Sequence, residues 1–281
     1  MPLDPQALAC SSRAMNIIDE TRNETALYRE VSGAGPVALL IAGTPGDGGQ
    51  FGQLASALGA DHTVVVYDRR GTSRSPRPDG WVTTTLREQA DDAAAVLAMV
   101  TSEPALVFGT SNGAAVALEL ALRHPHRVSA VLLHEMPLLT VLADPEPVGR
   151  MLGQLIETAM GQGGPPAALD AFLRFAFGDE LIDGLDAGLR DRLLSNGEMV
   201  FSIEMPAFQS YRPDEGELGS IAVPTHVLVG EDQGVPMFGE AATWLAERLS
   251  TTVLPSPGAH APHLSHPMEL AALIAEHDAR R

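Results

Sequence analysis

The chain is poor in cysteine and in positive charge. Its 281 residues contain a single cysteine, Cys10, which excludes an intrachain disulfide, and no cluster of cysteine and histidine resembles a zinc site. Lysine and arginine together number 18 against 36 aspartates and glutamates, so the formal charge is −18. Nucleic acids and anionic membrane surfaces would repel this charge. We therefore expect no nucleic-acid partner, no membrane partner and no metal.

Long apolar runs are missing as well. No stretch approaches the roughly 18 apolar residues of a membrane-spanning helix, and residues 1–5 lack a basic segment followed by an apolar one. These absences lead us to expect a cytoplasmic protein, and they leave its oligomeric state open. A chain of 281 residues can form one large domain, or a domain with an inserted subdomain.

A serine stands at the apex of a predicted sharp turn. Residues 106–108 form an apolar run typical of a buried strand, residues 109–113 read Gly-Thr-Ser-Asn-Gly, and residues 114–123 form an amphipathic helix. A turn this tight leaves no room for a Cβ on either side of the serine, which explains the two glycines. The G-x-S-x-G pattern alone is weak in a chain with 27 glycines. Its position between a strand and a helix makes Ser111 a candidate nucleophile, against the alternative of an ordinary glycine-rich turn.

Strands alternate with helices on both sides of this serine. The helix predicted at 85–99 has an apolar stripe at helical spacing, and several apolar runs have the length of buried strands. The strand-like runs are 37–42, 63–67, 128–133, 225–230 and 251–255, and further helices are predicted at 50–58, 238–249 and 267–280. Residues 16–31 have the pattern of an antiparallel hairpin at a sheet edge. The whole pattern predicts an α/β protein with a mostly parallel sheet and helices on both faces.

The alternation stops between residues 137 and 219. This stretch has helical segments, Gly/Pro-rich breaks at 161–166 and 212–216, and many Met and Phe residues, but no convincing long strand. We predict an inserted helical cap at 137–219, with residues 1–136 and 220–281 forming the core domain. Met and Phe at helical spacing are most often packing residues, but a cap that covers an active site must direct some of them toward it.

Two loops carry groups that could bind a charge. The glycine-dense loop 43–49 lacks the Lys-Ser/Thr of a phosphate-binding P-loop, so we interpret it as a source of backbone donors for a different anion. Loop 68–76 contains three arginines close to Asp68. These arginines could bind an anionic substrate, but we expect them to hold the loop in place through its own ion pairs.

The order of these motifs resembles the α/β-hydrolase superfamily, from about residue 25 to residue 278. A serine at a strand–helix turn is followed by an acid after a later strand and by a histidine after the last strand. Residues 42–46, Ala-Gly-Thr-Pro-Gly, are similar to the family's H-G-x-P-G loop, and residues 67–75 are similar to its D-x-R-G-x-G-x-S segment. The resemblance implies the α/β-hydrolase fold, a mostly parallel twisted sheet with an inserted helical cap, and no cofactor.

The resemblance also implies the roles of five residues. Ser111 would be the nucleophile, His260 the base that takes its proton, and Asp232 the acid that orients the histidine and stabilises its charged form. The backbone N–H groups of Thr44 and Asn112 would stabilise the oxyanion that develops on the substrate.

Alternatives remain at some of these positions. His263 and His266 share the final segment with the favoured histidine. Glu135 follows the strand after the nucleophile helix, a position that some family members use for the acid instead of the one held here by Asp232. Ala42 stands where the family usually has a histidine that supports the oxyanion loop.

We expect a serine hydrolase that cleaves a carboxylic ester, lactone or thioester of a medium-sized, largely apolar small molecule through an acyl-enzyme. Serine in place of an aspartate nucleophile argues against epoxide hydrolase and haloalkane dehalogenase chemistry. The alternatives are a cyclase or acyltransferase that uses the same triad, a C–C hydrolase or perhydrolase, and a ligand-binding protein on the same fold.

Overall fold

One mostly parallel sheet organises the protein. The computed structural model describes residues 13–14, 27–232 and 234–278. The strands of this described part are β1 Arg13–Ala14, β2 Arg29–Gly33, β3 Val37–Ile41, β4 Thr63–Tyr67, β5 Ala105–Thr110, β6 Val128–His134, β7 Thr225–Gly230 and β8 Val253–Ser256. They form a single eight-stranded sheet in the order β1-β2-β4-β3-β5-β6-β7-β8. The pairs β1–β2 and β2–β4 are antiparallel and the remaining pairs are parallel, which confirms the predicted α/β architecture.

Helices cover both faces of the sheet because successive strand side chains point to opposite faces. The helices are α1 Gly52–Leu58, α2 Leu86–Ala98, α3 Asn112–Arg123, α4 Glu146–Phe177, α5 Asp179–Asp183, α6 Ala187–Ser195, α7 Gly197–Met199, α8 Met205–Ser210, α9 Glu215–Gly219, α10 Pro236–Arg248, α11 Pro262–Ser265 and α12 Pro267–Glu276. In β3, Leu39 and Ile41 belong to the apolar core shared with α2, α3 and α10. Ala38 and Leu40 belong to the core on the other face, shared with α1 and α12.

The regular structure between β6 and β7 is helical. This helical insertion, residues 139–219, comprises α4 to α9, a 3-10 turn at Leu139–Val141 and a π-helical turn at Val200–Glu204. It has a small apolar core of its own, formed by Leu169, Leu173, Ile182, Leu193 and Val200. The Gly/Pro-rich stretch at 161–166 interrupts the helix as predicted, because Gly163 and Gly164 leave helical geometry and divide α4 into two helical pieces joined by a kink.

The described residues place the candidate site at the carboxyl ends of the strands. The residues proposed for the site from the sequence lie in the segments immediately after β3, β5, β6, β7 and β8, which is the usual position of a site in an open α/β sheet. Cys10 and residues 16–26 of the predicted edge hairpin lie outside the described residues.

Candidate active site

Ser111 occupies a strained turn between β5 and α3. Its backbone has φ 53° and ψ −130°, an unfavourable conformation for any residue with a Cβ. The flanking glycines are required by contact: a Cβ on Gly109 would lie 2.4 Å from the carbonyl oxygen of Gly113, and a Cβ on Gly113 would lie 2.2 Å from that of Ile41. The Ser111 N–H donates to the carbonyl of His134 at 2.8 Å, which ties the turn to the end of β6. The turn therefore projects one side chain from the sheet edge.

His260 is buried in the loop after β8 and is oriented by a carboxylate. Its Nδ1 donates to Oε2 of Glu135 at 2.6 Å, and its ring stacks on Phe238 with the centroids 4.3 Å apart. The hydrogen bond to Nδ1 leaves Nε2 as the basic nitrogen. His260 and Ser111 line the same cavity.

Glu135 is fully enclosed at the end of β6. Its backbone has φ 44°, and its second carboxylate oxygen accepts the N–H of Gly230 at 2.9 Å. Burial alone would raise the pKa of this carboxyl. The hydrogen bond from His260, with the nearby His134 and the Gly230 N–H, outweighs burial and lowers the pKa below its ordinary value. Glu135 is therefore ionised beside the histidine at neutral pH.

The structure corrects the expected pairing of His260 with Asp232. Asp232 lies in the turn after β7, where its backbone N–H donates to the carbonyl of Gly258 at 3.0 Å and its side chain is exposed. The left-handed backbone at Glu135 instead directs the Glu135 side chain toward the end of β7, where its carboxylate accepts hydrogen bonds from the Gly230 N–H and from His260. Glu135, which the sequence offered as the alternative acid, is the carboxylate in contact with the histidine.

The two other histidines of the final segment have different surroundings. His263 is buried between aromatic rings, with centroids 5.1 Å from Phe51 and 6.0 Å from Phe177, and burial lowers its pKa to about 3. The Nδ1 of His266 lies 2.9 Å from the Ser265 hydroxyl. Among the three, the hydrogen bond to Glu135 belongs to His260.

Thr44 and Asn112, the two expected oxyanion donors, lie side by side. The Asn112 amide donates to the Thr44 hydroxyl at 2.7 Å, and both residues are buried. The preceding Gly43 packs directly on the nucleophile turn, since a Cβ there would lie 2.8 Å from the Cβ of Ser111. The first turn after β3 and the start of α3 thus meet beside the candidate nucleophile.

Comparisons with known proteins identify the family of this chain. A model of the alpha/beta hydrolase family matches residues 38–273. The chain belongs to the α/β-hydrolase family. The hydrolase YraK of Bacillus subtilis is 32% identical over 238 residues, which cover 83% of this chain and 85% of YraK. The pimeloyl-[acyl-carrier protein] methyl ester esterase of Chromobacterium violaceum is 28% identical over 256 residues, covering 89% of this chain and 97% of the esterase.

Solved structures share the hydrolase fold at lower identity. The enol-lactonase of Burkholderia xenovorans LB400 superposes with a TM-score of 0.73 at 20% identity, over 90% of this chain and 96% of the lactonase. The family match, together with YraK and the methyl ester esterase, makes the chain an α/β-hydrolase enzyme.

The cavity of this hydrolase is apolar and small. It lies between the strand ends and the helical insertion and has a volume of about 60 Å³. Its described lining is Ser111, Asn112, Pro137, Leu139, Leu152, Phe172, Phe175, Ala176, Met205, Phe208, Gln209, Val235, Met237, Phe238 and His260. Several Met and Phe residues of the insertion therefore face the site, a distinction that helical spacing could not make. Among these described lining residues there is no arginine or lysine.

The arginines of loop 68–76 are engaged in ion pairs. Arg69 pairs with Glu204 at 2.7 Å, Arg70 pairs with Asp92, and Arg74 pairs with Asp68 at 2.7 Å. Ion pairs therefore hold the loop, as expected, but of these three pairs Arg74–Asp68 lies within the loop, whereas Arg69 and Arg70 pair with carboxylates outside it.

The described residues offer neither a metal centre nor a membrane span. No group of three or more His, Cys, Asp or Glu residues among them could hold a metal ion. Likewise, none of the helices found in residues 13–14, 27–232 and 234–278 is long and apolar enough to cross a bilayer.

Proposed function

We propose that this enzyme is a serine hydrolase that cleaves a carboxylic ester, lactone or thioester through an acyl-enzyme. The observation that carries the proposal is the buried hydrogen bond between His260 and Glu135, in the same cavity as Ser111 on its strained turn. The triad of the proposal is Ser111, His260 and Glu135. Relatives named as an esterase and an enol-lactonase support this reaction class.

Each proton transfer in the proposed reaction passes through His260. Its Nε2 takes the Ser111 proton as Oγ bonds to the substrate carbonyl carbon, and then gives that proton to the departing alcohol or thiol. Water next attacks the acyl-enzyme while Nε2 accepts its proton, and the carboxylic acid leaves as the Ser111 hydroxyl reforms. Glu135, ionised at neutral pH, holds the Nδ1–H tautomer and stabilises the imidazolium in both halves.

Backbone amides serve the negative oxygen of the tetrahedral intermediate. We assign this role to the N–H groups of Thr44 and Asn112, which the hydrogen bond between their side chains keeps together. A preorganised donor of this kind contributes about 10²–10³ in rate.

The helical insertion acts as a cap and selects the substrate. Its Phe and Met side chains line the cavity opposite Ser111, so an apolar acyl group fits and a carboxylate on that group does not, since the described lining provides no cation to pair with it. The cavity of about 60 Å³ is well below the roughly 300–1,000 Å³ of typical ligand pockets. The small, apolar cavity therefore suits a short, uncharged acyl group.

Release of p-nitrophenol from acyl esters tests the proposal. The wild type should show an initial burst followed by steady turnover, and Ser111→Ala and His260→Ala should abolish both. His263→Ala is the matched control, because its ring lies close by without the bond to Glu135. Equal activity in Ser111→Ala and wild type would rule out the acyl-enzyme.

A further inference from the structure

A buried ion pair connects the core to the helical insertion beside loop 43–49, which carries the proposed oxyanion donor Thr44. Arg69, in the loop after β4, binds both carboxylate oxygens of Glu204, at 2.7 and 3.0 Å. Both side chains are 1% exposed, and Glu204 ends the π-helical turn of the insertion. The Arg69 guanidinium also donates to the side-chain carbonyl of Gln89 at 2.7 Å and lies 5.2 Å from the ring centre of Phe208, which lines the cavity.

The same guanidinium reaches the peptide group that carries a proposed oxyanion donor. Its Nη2 donates to the carbonyl oxygen of Gly43 at 3.2 Å. That oxygen and the N–H of Thr44 belong to one rigid, planar trans peptide, in which they point in opposite directions. The same oxygen also accepts the Gly46 N–H at 2.6 Å, so Arg69 and the turn of the loop together fix the oxygen and with it the direction of the Thr44 N–H.

We propose that Arg69, held by Glu204 of the helical insertion, is a positioning residue that aims the Thr44 N–H at the oxyanion. The inference rests on the proposed function. It also accounts for Ala42, because a charged group held by the cap supports the loop where the family usually has a histidine side chain. A cation at the carbonyl polarises the peptide, which makes its N–H a stronger donor. Packing of the insertion against the core and assembly of the oxyanion hole are thereby linked.

A double variant separates positioning from stability. Removing one partner would leave the other charge buried and unpaired, whereas replacing a buried ion pair by apolar side chains of similar size is often neutral for stability. In Arg69→Met/Glu204→Met we expect the melting temperature to stay close to that of the wild type. We expect kcat for p-nitrophenyl esters to fall about 10- to 100-fold, less than the loss of a whole donor since the N–H remains. KM should change by less than about threefold, because ground-state binding does not use the oxyanion hole.

Tyr211→Phe is the matched control. The Tyr211 hydroxyl of the insertion donates to the buried Glu119 carboxylate of α3 at 2.9 Å, another contact between insertion and core, and its described bonds do not reach loop 43–49. Its loss should leave kcat within about twofold of wild type. Equal losses of kcat in the control and the double variant would assign the effect to docking of the insertion and overturn the inference.

Phosphonylation of Ser111 by a fluorophosphonate gives a second readout that needs no physiological substrate. The attack on phosphorus also places negative charge in the oxyanion hole, so the double variant should react about 10- to 100-fold more slowly. Wild-type rates of phosphonylation and ester hydrolysis in a folded double variant would refute the role of Arg69 and leave the proposed function intact. A wild type inert to both reagents would instead refute the proposed function, and this inference with it.

Discussion

Substitution of Glu135 and of Asp232 tests which of the two carboxylates is the acid of the triad. We expect Glu135→Gln to lower kcat for a p-nitrophenyl ester by roughly 10³–10⁴-fold, since an amide at the acid of a serine protease triad costs about 10⁴. At about 1.36 kcal/mol for each tenfold change, this corresponds to roughly 4–5.5 kcal/mol of transition-state stabilisation. Asp232→Asn should stay within about twofold of wild type, because the Asp232 side chain is exposed.

The magnitude follows from the two contacts of the Glu135 carboxylate. One oxygen accepts the Gly230 N–H at 2.9 Å, so the carbonyl oxygen of a glutamine must take that place. Its NH₂ group then faces Nδ1 of His260, where the carboxylate oxygen now lies 2.6 Å away. Two donors cannot face each other, so Nδ1 would lose its proton and Nε2 would carry it. A histidine in that tautomer cannot accept the proton of Ser111.

The assay compares kcat and KM for both variants, with melting temperatures to establish that each is folded. The histidine in the wrong tautomer should impair chemistry while KM changes little, because Glu135 is buried and is not among the described residues that line the cavity. Wild-type kcat in Glu135→Gln, or an equal loss in Asp232→Asn, would refute the assignment of the acid.

Three further predictions concern stability, the nucleophile turn and the cavity. Burial lowers the pKa of both His134 and His263 to about 3, from about 6.5 when unfolded, so the unfolded chain binds more protons below about pH 6.5. In denaturant unfolding, the free energy of unfolding should therefore decrease by up to about 2.7 kcal/mol for each pH unit as the pH is lowered from 6 to 4, owing to these two histidines. His263→Phe should remove about half of this pH dependence, and an unchanged pH dependence would contradict the prediction. Gly113→Ala should destabilise the fold by about 3 kcal/mol or more, since the new Cβ would lie 2.2 Å from a carbonyl oxygen. Gly149→Ala, on an open face of α4, is the control and should be neutral or slightly stabilising. Equal melting temperatures of the two variants would argue against the steric requirement at Gly113. The kcat/KM of p-nitrophenyl butyrate should exceed that of p-nitrophenyl dodecanoate at least about tenfold, because the cavity is small. Phe172→Ala should enlarge the cavity and so reduce this ratio of the two kcat/KM values. A wild-type preference for the dodecanoate would contradict a small acyl site.

Most of what could be predicted about the fold came from patterns among residues that are close together in the sequence. The apolar run before Ser111, the glycines beside it and the amphipathic helix after it are all within about 20 residues, so their pattern predicts the strand, turn and helix. The Gly/Pro-rich stretch at 161–166 is also a local signal. It predicts an interruption, and Gly163 and Gly164 leave helical geometry there while helical structure continues before and after them.

The sequence by itself determined the α/β architecture, the serine turn and the histidine of the last loop, because local periodicity and turn chemistry specify each of them. Only the tertiary structure decided which acid meets that histidine. Glu135 and His260 are 125 residues apart, and their contact depends on the left-handed backbone after β6 and on the pairing of β6 with β7. The ion pair of Arg69 with Glu204, 135 residues away, depends in the same way on how the helical insertion packs against the loops of the sheet. Contacts at such separations arise from packing of the whole chain, which no local pattern records.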